Sequence, residues 1–217
     1  WQIYTGNLKK SCLEKIIGRD FCCKLSQTSC VFSLTICIIK KHIVMSKIEF
    51  LKEQMIEARA FVKRLMSELP EDLWYVIPEG TDSNFIWQVG HLLVSQNFHT
   101  MTAVTGVNKK VGELLPIKEY NRIFNAMGTM HRSIEKDMIK LKEEFEIVHQ
   151  ICISSLETLN DDILSDCLEP LPFKHPVAEV KYEALAWSFK HEMWHSAEME
   201  AIKRDLGYPI VWMKQEI

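Results

Sequence analysis

The sequence predicts an all-α fold, a four-helix bundle, and three observations carry that prediction. Four long segments place apolar residues at steps of three and four. No run alternates apolar and polar residues as a half-buried strand would. Proline, glycine and short polar clusters separate the four segments, as the connections of a bundle require. The spacing leaves a long connection between the second and third helices and a proline-rich one before the last.

The first helix is expected over residues 46–69, where Ile48, Leu51, Met55, Ala58, Val62, Leu65 and Leu69 share one face. Ser46 with Glu49 three residues on is a capping box, and Pro70 stops the helix. Residues 70–83 read as a loop, with Asp82 or Ser83 as the expected N-cap of the second helix. That helix is expected over 84–105 and ends at Gly106. Trp87, His91, Val94 and Phe98 lie on its apolar face. Gly90 costs about 1 kcal/mol relative to Ala inside a helix, so it either admits a close helix approach or is merely tolerated. His99 falls off the stripe and is expected in solvent.

Residues 107–132 read as irregular, punctuated by Gly112, Pro116 and Gly128, with a short helix around Lys118–Met127. The third long helix is expected over 133–159, on Met138, Leu141, Phe145, Val148, Cys152, Leu156 and Leu159. Asn160-Asp161-Asp162 caps a short turn to about Cys167, and Pro170, Pro172 and Pro176 stiffen the connection to the last helix. The last helix is expected from about Val177 to Leu206, closed by Gly207, with the apolar tail 208–217 packing back.

Residues 1–44 differ from the rest. They hold seven Lys and Arg against Glu14 and Asp20, a net of +5, no methionine, and five of the seven cysteines. Helical periodicity begins directly after Met45. The expectation is that 1–44 stand outside the fold, as in-frame upstream sequence or an extension, and that the domain is 45–217. A targeting segment is the alternative, because Cys30–Ile39 is an apolar run like a signal-peptide core. It lacks a small-residue cleavage site, ends in Lys40-Lys41 and is about half the length of a bilayer span. The five cysteines show no paired CxxC spacing, so no zinc site is expected there.

Residues 45–217 carry a net charge of −8, which argues against nucleic acid as the partner, because phosphate neutralisation needs clustered Lys and Arg. Cys152 and Cys167 alone make no disulfide framework, which suits a cytoplasmic protein. No segment of this region is long and apolar enough to span a membrane, so no membrane partner is expected.

The chemistry concentrates in Lys190-His191-Glu192-Met193-Trp194-His195. Two histidines four apart on a helix lie about one turn apart on one face, the spacing that lets two imidazoles grip one ion. Stepping through Ala184, Ser188, His191, His195, Glu198 or Met199, Ile202 and Leu206 puts small and apolar residues above and below the pair, so both are expected to point inward. A single inward histidine is usually a core residue with a hydrogen-bond partner; the pair is what suggests a metal. His91 is the third inward histidine, and three histidines plus water form an open site. These donor types favour Zn, Ni or Fe(II) over Mg or Ca. A fourth protein ligand, with Glu198 as the candidate, would instead mark a structural site. His191-Glu192-x-x-His195 also matches the HExxH pattern of zinc proteases, with Glu192 as general base. That reading needs a further ligand downstream, where only 22 residues remain, and Glu192 lies one residue off the histidine stripe, as a solvated or outer carboxylate would.

Trp87-x-x-x-His91 on the second helix, followed by His191-x-x-x-His195 on the last, resembles the DinB-like (DinB/YfiT-like) superfamily over roughly residues 46–212. The resemblance implies a four-helix bundle whose three matching histidines hold a divalent metal, and relatives that include thiol-dependent S-transferases and a thiol-dependent isomerase. For this chain it implies a metal-dependent enzyme of hydrolase or thiol-transferase type, acting on a small molecule with a low-molecular-weight thiol as the partner. The alternative is a non-catalytic metal-binding bundle that serves as an interaction module, with a homodimer as the assembly to test. No catalytic residue carries over, and residues 1–44 have no counterpart in the family.

Overall fold

Apolar stripes at helical spacing bury themselves by pairing with one another, and the computed structural model shows how. It describes residues 45–124 and 137–211 of the chain. The readings of residues 1–44, of Gly128 and the start of the third helix, and of the tail beyond Val211 lie outside the described residues. The described residues form six α-helices: α1 (Lys47–Glu68), α2 (Phe85–Gln96), α3 (Lys109–Leu114), α4 (Ile117–Phe124), α5 (Met138–Leu156) and α6 (Lys181–Asp205). There is no strand among them, only an isolated bridge between Cys167 and Val180. None of these helices is long and apolar enough to cross a membrane.

The bundle is made by α1, α2, α5 and α6. Helix α6 packs on α1 and α2, and α5 packs on the same two helices from the other side. The short α4 closes over α2. With neighbours on three sides, every residue of α2 from Phe85 to Gln96 is buried, including His91, which is why its sequence is apolar nearly all round.

Local chemistry sets the helix ends. Ser46 Oγ accepts the Glu49 N–H at 3.0 Å, as the capping box predicts. Asn84, not Asp82 or Ser83, caps α2: its side chain accepts the Trp87 N–H at 3.0 Å, while the Ser83 hydroxyl is taken by Gln88 Nε2 at 2.7 Å. Gly106 and Gly207 adopt φ of +86° and +89°, which a side chain would strain. The connection after Gly106 holds two short helices, α3 and α4, rather than one, with Pro116 between them. Helix α6 starts at Lys181 rather than Val177, because Val180 is held extended by its bridge to Cys167 and the Glu183 carboxylate accepts the N–H groups of Glu179 and Val180.

Two features of α2 govern the site. A Cβ on Gly90 would lie 2.4 Å from the Phe124 ring, so the close-approach reading of this glycine holds. And the predicted helix over 84–105 is not α-helical throughout. Residues Asn97–Thr102 form a π-helical turn, in which the Ala103 N–H donates to the Phe98 carbonyl five residues back.

Candidate metal centre

Packing α6 beside α2 brings the three predicted histidines together. His191 Nε2 lies 3.4 Å from His91 Nε2 and 3.1 Å from His195 Nε2. Two imidazole nitrogens each about 2.0–2.1 Å from one tetrahedral ion stand about 3.3 Å apart. The donor set therefore fits a divalent ion in type and in spacing. All three ligand atoms lie within 4.8 Å of one another, and among the described residues no fourth Cys, His, Asp or Glu joins the group.

The far sides of two of the rings, His91 and His195, explain their orientation. His91 Nδ1 donates to the Phe124 carbonyl at 2.7 Å. The Gly90 notch is what lets Phe124 sit there. His195 Nδ1 donates to Gln88 Oε1 at 2.6 Å and lies 3.2 Å from Glu198 Oε2. A proton on Nδ1 of His91 and of His195 leaves each Nε2 lone pair on the side of the shared centre, the usual way an outer partner fixes a metal-binding tautomer. Trp87 stacks on His91 with centroids 4.8 Å apart and planes 6° from parallel. Ser95 Oγ lies 3.2 Å from the same His91 Nε2.

Burial, and then the neighbouring His195, push His91 down to about 4, against the pull of the Phe124 carbonyl and Glu198. Burial, His195 and His91 push His191 down to about 3. Both rings thus stay neutral well below the ordinary histidine range, in the form that can ligate.

The DinB superfamily profile matches residues 54–199, two thirds of the chain. The chain belongs to the DinB superfamily. Among solved structures it is similar to an uncharacterised protein from Escherichia coli UTI89, at 12% identity and a TM-score of 0.48, over 78% of this chain and 99% of that one. No curated protein matches it.

Other carboxylates near the triad of this DinB-superfamily chain take roles different from those expected. Glu198 is no fourth ligand: its carboxylate sits behind His195, on the outer nitrogen, and also accepts from Gln88 Nε2 at 2.8 Å. The His195 hydrogen bond holds it below the usual carboxylate range. Glu192 is not solvated. It is 1% exposed and pairs with Arg59, Nε to Oε1 at 2.6 Å and Nη2 to Oε2 at 3.3 Å. Burial raises its carboxyl while Arg59 pulls the other way. Arg59 also donates to the Phe145 carbonyl and to Gln96 Oε1, and its guanidinium lies 3.5 Å above the Phe145 ring. A carboxylate engaged in this way on the side of α6 facing α1 is not placed as the base of an HExxH protease.

His99 is likewise buried, at 5% exposure, and not in solvent. The i→i+5 turn advances the chain through less rotation per residue than an α-helix. It brings His99 back toward the core, where its ring stands edge-on to His191 at 5.4 Å. Its Nδ1 lies 2.9 Å from His175 Nε2. Neither His175, on the proline-rich connection, nor Arg59 was marked by periodicity. Gln88 alone carried a signal, since Gln88, His91 and Ser95 step by three and four.

Proposed function

We propose that this protein is a metal-dependent enzyme in which His91, His191 and His195 hold one divalent transition ion, Zn, Ni or Fe(II), with a position left for water or a small thiol. One observation carries the reading: three imidazole nitrogens converge while the Glu198 carboxylate lies against the outer nitrogen of His195. Structural sites are closed by four protein donors, whereas catalytic sites keep one position for the reactant. When bound, such an ion supplies Lewis acidity, lowering the pKa of a water or thiol so that it is nucleophilic near neutral pH.

The chain's own residues supply the rest. Phe124 and Gln88 orient the rings, Trp87 holds His91 flat, and Glu198 strengthens His195 as a donor through the Nδ1 hydrogen bond. The reading takes the thiol from a second substrate; the Cys152 thiol is buried and pushed up to about 12 by that burial. A cytoplasmic setting, reducing and rich in small thiols, suits this chemistry. The acceptor is a small electrophile rather than a nucleic acid.

Elemental analysis of the purified full chain, followed by a thiol-transfer and ester-hydrolysis screen with and without the metal found, tests the reading. About one ion per chain, lost in His91→Ala and accompanied by metal-dependent turnover, is the expected result. Full occupancy in His91→Ala would refute the three-histidine site. A loaded protein inert toward every thiol and ester would instead make it a binding module, for which the oligomeric state in solution is the next measurement.

A further inference from the structure

We propose that His99 is a further ligand-binding residue of the triad, presenting its Nε2–H to the molecule that takes the open position, and that His175 sets the place of that proton. The proposal rests on the metal-site reading above and deepens it.

The tautomers are fixed by hydrogen bonds at the far end of the chain of contacts. His175 Nδ1 faces two backbone donors, the N–H groups of Val177 at 3.3 Å and Ala178 at 3.0 Å. It must accept, so the proton of the His175 ring is on Nε2. That Nε2 lies 2.9 Å from His99 Nδ1. His99 Nδ1 must then accept in turn, and the His99 proton is left on Nε2, the nitrogen away from His175. Protonating His99 at both nitrogens would set two donors against each other, so the same geometry keeps the ring neutral.

Position and backbone point the same way. The rings around His99 are Phe98, His175 and His191, and the last of these belongs to the triad. His175 is clamped for its task, stacked on Phe98 with centroids 5.3 Å apart and planes 9° from parallel. The backbone departs from α-helix at this residue, in a type of turn that recurs at functional sites. An N–H on a ring edge-on to His191 would favour a ligand that is anionic or carries a free lone pair at the triad, by a charge-assisted hydrogen bond. Its effect is on the ligand, not on the ion, which separates His99 from the three histidines that would hold the ion.

The test uses the full chain loaded with Co(II), with azide as the probe and the visible spectrum as the readout. Wild type should bind one Co(II) and respond to azide. His99→Phe should keep Co(II) at the same stoichiometry but bind azide about tenfold or more weakly, the scale of a lost hydrogen bond to a charged acceptor. His99→Gln, which retains an N–H donor, should recover most of that loss. Independently of any variant that fails to fold, long-range proton–nitrogen NMR of the metal-free wild type should show Nε2–H tautomers for both His99 and His175. An Nδ1–H tautomer at His99, or azide binding in His99→Phe within twofold of wild type, would overturn the inference while leaving the metal site intact. Wild type that takes up no Co(II), or takes it up without any azide response, would instead overturn the open-site reading and this inference with it.

Discussion

Helix α6 carries two buried polar clusters on adjacent residues, and they are built on opposite principles. On one face, Glu192 meets Arg59, and the guanidinium also donates to the Phe145 carbonyl and to Gln96 Oε1. The two charges meet within the protein, Nε to Oε1 at 2.6 Å. On the other face, His191 and His195 meet His91 with their inner nitrogens turned toward one another at 3.1 and 3.4 Å. The outer nitrogens of His91 and His195 are held by Phe124 and Gln88, and the inner nitrogens of all three converge. A buried polar cluster that closes on itself ties helices together, here α1, α2, α5 and α6. One that leaves lone pairs converging is arranged for something from outside.

The largest expected effect breaks the closed cluster. Arg59→Met leaves Glu192 buried without its cation, at a cost of about 3–5 kcal/mol. Urea denaturation measures it. The open cluster should respond oppositely: His191→Ala should change the stability of the metal-free protein by much less, while abolishing metal uptake. Comparable losses in the two metal-free variants would mean that the triad is as much a structural knot as the ion pair. Chelation, for the same reason, should lower the melting temperature without unfolding the protein, since the bundle core is complete without the ion.

The next effect tests how the open cluster is held. Gly90→Ala forces a methyl into the Phe124 ring, within 2.4 Å. Overpacking of this kind costs about 1–3 kcal/mol. It also displaces the carbonyl that orients His91, so metal affinity should fall along with stability. Gly112, in α3, has nothing within 4 Å of a built Cβ, and Gly112→Ala should gain up to about 1 kcal/mol from helix propensity alone. A gain at both positions in thermal melts would show that Phe124 yields freely and that the notch does not position His91.

The four stripes, and the inward pairing of His191 with His195, were legible because periodicity reports which face of a helix meets the core. What periodicity cannot report is a change of period. The π turn at 97–102 returned His99 to the interior that a plain helix would have denied it. Nor can it identify the polar residue that a partner on another helix makes burial possible for. Arg59 stands beside Ala58 and reads as a solvated charge, and Glu192 reads as part of the HExxH pattern, until the two are seen to meet. Asn84 was one or two residues from the expected caps, within the ordinary uncertainty of helix ends.

Acid should weaken the closed cluster in a defined window. Burial and then Arg59 push His149 down to about 4, with its Nδ1 accepting from Gln96 Nε2. In the unfolded chain the same group titrates near about 6.5. Above 6.5 both states are neutral there and the full stability is present. Between 6.5 and 4 the unfolded state binds more protons, so stability falls as pH drops, by at most about 1.4 kcal/mol per pH unit for each such group, and levels off below 4. Urea midpoints of metal-free protein across this window should show the slope, and His149→Gln should reduce it by up to one proton. An unchanged slope would assign the acid sensitivity to other histidines.

The smallest expected effect lies at the outer edge of the open cluster and asks whether charge there reaches the centre. Glu198 is half-exposed, so its removal from the ion pairing should scarcely alter stability. Its carboxylate nevertheless contacts His195 Nδ1, the nitrogen opposite the one facing the triad, and Gln88 Nε2 fixes it there. A negative charge on the outer nitrogen makes the inner one a better donor, and outer partners of metal-bound histidines are worth about 10–100-fold in affinity. Glu198→Gln keeps the shape and removes the charge, while Gln88 Oε1 still holds the ring by its 2.6 Å hydrogen bond. The loss should therefore sit near the lower end, about tenfold in zinc affinity by chelator competition. Because the charged carboxylate also helps a proton stay on Nδ1, the same variant should leave the His195 tautomer unchanged only if Gln88 suffices to hold it. NMR of the metal-free variant separates the two contributions. A tenfold loss with the Nδ1–H tautomer intact assigns the effect to charge. A loss accompanied by a switch to Nε2–H assigns it to orientation, and equal affinity in both proteins would reduce Glu198 to a surface residue that happens to lie against the site.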